Sequence, residues 1–246
     1  MKDFVKNKFR SNNPAWDRSL TGELESSDII KVHRSLREYS PTPLSHLPKF
    51  AGSLGLRQIL VKDEAHRFGL RAFKALGASY AIYRFICDEF KKSNLEPPAS
   101  ESFYSKNDII PPDKYTFCTA TDGNHGRGVA WTASKLGQKA VIYMPENTVP
   151  SRIENIRKIG AEVNIVDGDY DDAVRTCQEE AEKNGWQIIS DTSWPGYETI
   201  PVWIMAGYVT IFREIDQSLS NSEKIDCFIV QGGVGALAAA ASWYYN

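Results

Sequence analysis

The chain has 246 residues, 42% hydrophobic, 24% charged and 11% aromatic, and its 29 basic and 31 acidic side chains leave a formal net charge of −2. At roughly 150 residues per domain this suits one large domain or two small ones, and without a dense lysine and arginine stretch it carries no footprint for nucleic acid or an anionic membrane. The expected partner is a small molecule.

Residues 1–20 are polar and lack the apolar stretch of about 7–15 residues that a secretion signal needs, so a cytoplasmic setting is expected. Residues 1–40 read as a weakly patterned N-terminal arm, and Pro41 and Pro43 make the entry to the core extended. A short β-favouring run at 59–62 follows. Leu76, Tyr80, Tyr83, Cys87 and Phe90 then recur at spacings of 4, 3, 4 and 3, the stripe of an amphipathic helix. Residues 94–112, rich in prolines and polar side chains, break it.

A second round begins with a strand at 115–120, a glycine-rich turn at 122–128 and a helix carrying Val129, Thr132, Ala133 and Leu136 on one face. The strand at 140–144 precedes a helix that Ser151 caps and Gly160 ends, and 161–166 is a further strand. Asp169 opens a helix marked by Tyr170, Val174, Cys177 and Ala181; 187–190 is a strand; Ile204, Tyr208, Ile211 and Ile215 mark another helix; 227–231 is the last strand. Strands alternating with helices of this length predict an α/β fold on parallel sheets. The region 228–245 is interrupted by Gln231 and glycines and falls short of the about 20 apolar residues of a membrane span. Cys87, Cys118, Cys177 and Cys227 lie 31, 59 and 50 positions apart, which fits neither a zinc site nor a disulfide framework and predicts buried reduced thiols.

In open parallel sheets ligands bind beyond the carboxyl ends of strands, and three such places stand out. After 59–62, Lys74 sits near the start of the amphipathic helix, where the helix dipole and desolvation favour the neutral amine that Schiff-base chemistry requires; a solvated helix lysine is the plain alternative. After 115–120, the run Thr121-Asp122-Gly123-Asn124-His125-Gly126-Arg127-Gly128 brings backbone close to a ligand and places the Asp122 carboxylate at its rim, unless Asp122 is only a helix cap. His125 has no carboxylate or cysteine at triad or metal spacing and reads as a capping or packing side chain; no metal is expected. After 227–231, Gly232, Gly233, Val234, Gly235 and Ala236 form a glycine loop opening a helix, an anion site suited to phosphate. Gly233, Gly235 and Ala238 also fit the relaxed dinucleotide fingerprint, a weak signal, while a Walker loop is absent. A Schiff-base lysine, a glycine turn and a phosphate cradle after three different strands are together what pyridoxal phosphate needs.

From Tyr39-Ser40-Pro41-Thr42-Pro43-Leu44 onward the chain resembles the diaminopropionate ammonia-lyases, fold-type II pyridoxal phosphate enzymes of the tryptophan synthase β and threonine dehydratase superfamily. The resemblance is carried by Lys62-Asp63-Glu64, by Arg67-Phe68-Gly69-Leu70 with Ala72-Phe73-Lys74, by 121–131, by Ile142-Tyr143-Met144-Pro145, and by Asp191-Thr192 ahead of Trp194 and Gly196-Tyr197. It implies that Lys74 forms the Schiff base, that Asn124 hydrogen-bonds the cofactor's phenolic oxygen, and that Gly232, Gly233, Val234, Gly235 and Ala236 hold its phosphate. Asp122 stands where serine and threonine dehydratases have a small residue, and Asp191 supplies a second carboxylate. These imply α,β-elimination of D- and L-2,3-diaminopropionate to pyruvate and ammonia, with Lys74 taking the α-proton of the L-form and Asp122 that of the D-form. A serine/threonine dehydratase-like lyase is the neighbouring reading, and a non-enzymatic α/β ligand-binding protein is the reading from another class.

The resemblance also implies two parallel-sheet α/β domains, a large cofactor domain at 41–78 and 200–246 and a small one at 79–199, with the active site between them and a homodimer as the common assembly. The helix from Gly235 is apolar on nearly all faces and nothing after it covers it. The expectation is therefore a large domain cut off just past its phosphate loop, a partner subunit or swapped element being the alternative cover, with the residue facing the pyridine nitrogen beyond residue 246.

Overall fold

The computed structural model describes residues 21–106, 108–220 and 224–245. The first half of the expected N-terminal arm lies outside these residues. Its second half joins the core: a 3-10 turn at Gly22–Glu25 and helix α1 (Asp28–Arg34) bury Leu24, Ile29 and Val32. Strand β1 (Leu44–His46), helix α2 (Pro48–Ser53) and strand β2 (Leu60–Lys62) form a hairpin-like unit in which Leu44 lies opposite Lys62. The run at 59–62 is thus antiparallel, not part of a parallel sheet, because β1 is the neighbour that the extended proline segment delivers.

Helix α3 (Lys74–Lys92) buries Leu76, Tyr80, Tyr83 and Cys87, the stripe read from the sequence. Strand β3 (Thr116–Ala120), helix α4 (Asn124–Lys135), strand β4 (Lys139–Pro145), helix α5 (Pro150–Arg157), strand β5 (Glu162–Val166), helix α6 (Tyr170–Asn184) and strand β6 (Gln187–Ile188) follow in strict alternation. Pro150 occupies the opening turn of α5, so Ser151 lies inside the helix and does not cap it. Asp169 does cap α6, accepting from the amides of Asp171 and Asp172 at 2.9 and 3.1 Å while Asp172 accepts from its amide in return. Strand β6 is two residues shorter than expected. Ile189 still donates to the Cys118 carbonyl at 2.8 Å, but the next amide, Ser190, turns to the Tyr197 hydroxyl at 2.8 Å and the chain leaves the sheet.

Strands β3 to β6 form one parallel sheet in the order β5-β4-β3-β6. Helix α4 covers one face, packed between the sheet and α3, and α6 covers the other through Cys118, Val141, Tyr143, Ala173 and Cys177. The chain moves outward from β3 to β5 and then returns beyond β3 to β6. The crevice between the carboxyl ends of β3 and β6 is therefore a topological switch point, where doubly wound sheets place their ligands.

Helix α7 (Thr199–Ser218) packs along α3, with Gly77 and Gly207 at the crossing: a Cβ on Gly207 would lie 2.4 Å from the Leu76 carbonyl oxygen. Helix α8 (Ala236–Tyr244) packs on α7, and Phe212 meets the rings of Phe228, Tyr244 and Tyr245. Residues 227–231 are not a strand. Phe228 and Val230 turn inward and Ile229 is 91% exposed, the alternation of a strand, but among the described residues no neighbour offers a ladder. The described residues accordingly contain one parallel sheet, not two. Cys87, Cys118 and Cys177 are buried thiols, while Cys227 is exposed, because it sits in that unpaired segment. Among the described residues no helix is long and apolar enough to cross a membrane, and no cluster of His, Cys, Asp and Glu is arranged for a metal.

Candidate active site

Lys74 is presented by a segment with little freedom. Arg67 is fully buried and donates to both Glu64 and Glu214 at 2.8 Å, and Lys62 pairs with Glu214 at 2.6 Å, tying the turn before α3 to α7. Phe68 follows in the left-handed region at φ 50°, costly for a bulky residue, and its ring stacks on Trp131 of α4 at 5.0 Å. Arg127 of α4 adds a bond to the Leu70 carbonyl at 2.8 Å. Lys74 then opens α3 at the switch-point crevice.

There Lys74 Nζ donates to Asp191 Oδ2, the carboxylate that follows β6. Asp191 is buried. Burial alone pushes its carboxyl up, yet the His125 and Lys74 charges and the Lys74 hydrogen bond outweigh it and hold the group below its ordinary value. His125, also buried, lies with Nδ1 3.7 Å from the same oxygen and Nε2 2.7 Å from the Ile189 carbonyl. Burial, aided by Lys74 and opposed by Asp191, holds the imidazole below its usual value. Tyr208 of α7 completes the surroundings: its ring meets Phe73 edge-on at 5.1 Å, and burial together with the Asp191 charge pushes its phenol well above the usual range.

The turn after β3 is held by Thr121 rather than Asp122. Thr121 Oγ1 accepts from the amides of Gly123 and Gly126 at 3.0 and 3.2 Å, capping α4, and Gly123 takes φ +151°, a conformation suited to glycine. This releases Asp122, whose side chain is 79% exposed and faces Arg152 of α5 at 3.5 Å, while the Asp122 carbonyl accepts from the same guanidinium at 2.9 Å. Asn124 is exposed at the first position of α4, and among the described residues the amides of Asn124 and His125 have no acceptor. The fold thus brings Lys74, Asp191, Asp122 and Asn124 to the ends of two adjacent strands. Gly232, Gly233, Val234 and Gly235 form an exposed turn whose glycines have open space around them, leading into Ala236 at the start of α8. Among the described residues no hydrogen bond or ion pair joins that turn to Lys74 or Asp191. His125, Tyr208 and Arg152 are the neighbours that sequence reasoning missed. Arg152 and Tyr208 come from other elements, α5 and α7, with no local pattern to mark them, and His125, read from the sequence as a capping or packing side chain, is tied to the Ile189 carbonyl 64 positions on.

The family model for pyridoxal-phosphate dependent enzymes matches residues 36–246. The chain is 40% identical over 243 residues to a diaminopropionate ammonia-lyase of Escherichia coli (strain K12), covering 98% of this chain and 59% of that one. It is 41% identical over 254 residues to the diaminopropionate ammonia-lyase of Salmonella typhimurium, covering 100% of this chain and 62% of that one. The crystal structure of diaminopropionate ammonia lyase from Escherichia coli in complex with an aminoacrylate-PLP azomethine reaction intermediate superimposes with a TM-score of 0.82 at 39% identity, covering 97% of this chain and 58% of that one. The chain spans about three-fifths of the length of these relatives. With the family model spanning all of the chain from the proline segment onward, this chain belongs to the family of pyridoxal-phosphate dependent enzymes.

Proposed function

We propose that this chain takes part in the pyridoxal phosphate-dependent elimination of ammonia from D- and L-2,3-diaminopropionate, yielding pyruvate and a second ammonia on hydrolysis. The observation that carries the reading is an amine, Lys74 Nζ, held at the switch-point crevice by a buried carboxylate, with a second carboxylate, Asp122, open to solvent in the neighbouring turn. The residues present fit the cofactor: a presented amine, a buried imidazole nitrogen beside Asp191 and, among the described residues, no partner for that nitrogen or for the first amides of α4. When bound, the cofactor supplies an aldehyde for amine condensation and a ring that accepts the electron pair left by α-proton removal.

In this proposal Lys74, Asn124 and the amides of Gly232, Gly233, Val234, Gly235 and Ala236 hold the cofactor. Lys74 Nζ removes the α-proton of the L-substrate and the Asp122 carboxylate that of the D-substrate from the other face. Asp122 also pairs with the substrate's second ammonium, which serine and threonine lack, and Asp191 holds Lys74 in place between its two protonation states. The domain division proposed with it, 41–78 and 200–246 against 79–199, falls inside α3, so that one helix carries Lys74 and reaches into both parts. Reduced, buried Cys87, Cys118 and Cys177 suit a cytoplasmic setting, and a homodimer is the assembly we propose.

Pyruvate release from diaminopropionate, serine and threonine, with the cofactor added, tests the reading. Diaminopropionate is the preferred substrate by a wide margin; preference for serine or threonine assigns the chain to dehydratase chemistry, and no turnover with any of them removes the proposal.

A further inference from the structure

Asp191 is the meeting point of polar atoms from two elements, Lys74 Nζ from α3 and His125 Nδ1 from α4 at 3.7 Å, and its charge is also felt by the phenol of Tyr208 on α7. Among the described residues, His125 Nδ1 and the Tyr208 hydroxyl are buried with no hydrogen-bond partner. The state of the imidazole follows from its other nitrogen. A carbonyl oxygen only accepts, so Nε2, 2.7 Å from the Ile189 carbonyl, carries the hydrogen and Nδ1 of the neutral ring is a bare lone pair. A lone pair turned toward a carboxylate oxygen makes no bond in the resting site. It is placed to receive a proton.

Lys74 becomes an amine nucleophile or a base only by giving up its ammonium proton. Were that proton lost to water, Asp191 would be left as a buried, unpaired carboxylate, a strongly unfavourable state. We infer that Lys74 and His125 share one proton across Asp191, the imidazole taking it at Nδ1 whenever Lys74 is neutral. One N–H bond breaks at Nζ, its electron pair staying on that nitrogen, and one forms at Nδ1 from the imidazole lone pair. The cluster carries one positive and one negative charge before and after, so no buried charge is left alone. His125 touches Asp191 and is in this scheme a positioning residue for Lys74.

The other groups facing Asp191 do not compete for the proton. The Tyr197 hydroxyl is committed to the Ser190 amide and the Ile188 carbonyl, and Tyr170 of α6, which Asp122 also faces, meets Thr192 at 3.3 Å. Tyr208 and both of these are phenols whose protonated form burial favours.

The inference deepens the proposed role of Lys74, but its test needs neither cofactor nor substrate, so the two fail separately. Lys74→Met imposes the uncharged state. In the full chain labelled with ¹⁵N-histidine, the His125 titration midpoint rises by about one pH unit or more in Lys74→Met relative to the parent, with both ring nitrogens protonated at its acid side, and the further change Asp191→Asn abolishes the rise. An unchanged midpoint in Lys74→Met overturns the inference. Should that variant fail to fold, the pH profile of Lys74 trinitrophenylation, followed by peptide mass spectrometry, decides instead. Proton sharing gives the parent a plateau near neutral pH, whereas His125→Asn loses about tenfold in rate per pH unit; the same slope in both proteins overturns it.

Discussion

Asp122 owes its exposure to its neighbour. Thr121 performs the capping that Asp122 would otherwise perform, and the carboxylate is left at the rim, 79% exposed and loosely paired with Arg152. Asp122→Asn therefore preserves the turn while removing the carboxylate that we propose as the base for the D-substrate. We expect pyruvate formation from D-diaminopropionate to fall by about 10²-fold or more, the range a positioned general base contributes, and that from the L-form far less; equal losses in the two assays would assign Asp122 to binding alone. Asp191 behaves differently because it is buried. Its replacement by Ala removes the counter-charge of Lys74, and the pH profile of Lys74 modification is expected to change with it, whereas Asp122→Asn leaves that profile as it is. Lys74 and Asp122 could be picked out as candidates in the sequence because each lies in the segment after a strand signal, and Asp191 through the family resemblance. His125 could not: its importance rests on the Ile189 carbonyl, 64 positions away, which reaches it only through the β3 and β6 pairing.

Helices α3 and α7 set where Lys74 stands. Their axes approach closely because Gly77 and Gly207 face each other, and a Cβ on Gly207 would also lie 2.8 Å from the Gly77 Cα, so backbone rather than a pliable side chain would have to move. Gly207→Ala is expected to lower stability by about 1–3 kcal/mol, read as a lower urea midpoint, and to weaken cofactor binding in parallel by displacing the first turn of α3. A variant with an unchanged midpoint would show that the helices separate at no cost. The amphipathic stripe from Leu76 to Cys87 and the helix opening at Asp169 were legible because both are local. The segment 227–231 shows the limit of such reasoning. Its residues alternate as a strand's do, but a strand exists only where a neighbour supplies the ladder.

Across the whole molecule, the buried ion network at Lys62, Glu64, Arg67 and Glu214 joins the proline segment, the turn before α3 and α7. Burial raises the Glu214 carboxyl, but the bonds and charges of Arg67 and Lys62 outweigh it and bring the group from 4.5 to about 2. A depressed carboxylate contributes stability that is complete above its ordinary value and is lost as pH falls toward the folded one. His33, buried between the Leu76 carbonyl at 2.9 Å and Thr210 at 2.7 Å, is held by burial at about 3 against an ordinary 6.5, so the unfolded chain takes up its proton first and stability falls from 6.5 downward. The urea midpoint is expected to fall steadily from pH 6.5 to about 2. Glu214→Gln is expected to cost about 3–5 kcal/mol at neutral pH by leaving buried Lys62 without its carboxylate and buried Arg67 with Glu64 alone and to flatten the acid end of that curve; a parent-like curve would contradict the assignment. The network escaped sequence reasoning because Arg67 and Glu214 are 147 positions apart, while the α/β alternation, a property of successive segments, did not. The central claim, that Lys74 is the amine that takes the cofactor, is tested most directly by adding pyridoxal phosphate to the chain, reducing with borohydride and mapping the modified lysine by mass spectrometry. The account predicts stoichiometric labelling of Lys74, abolished in Lys74→Ala; labelling at another lysine, or none beyond the level of exposed surface lysines, would contradict it.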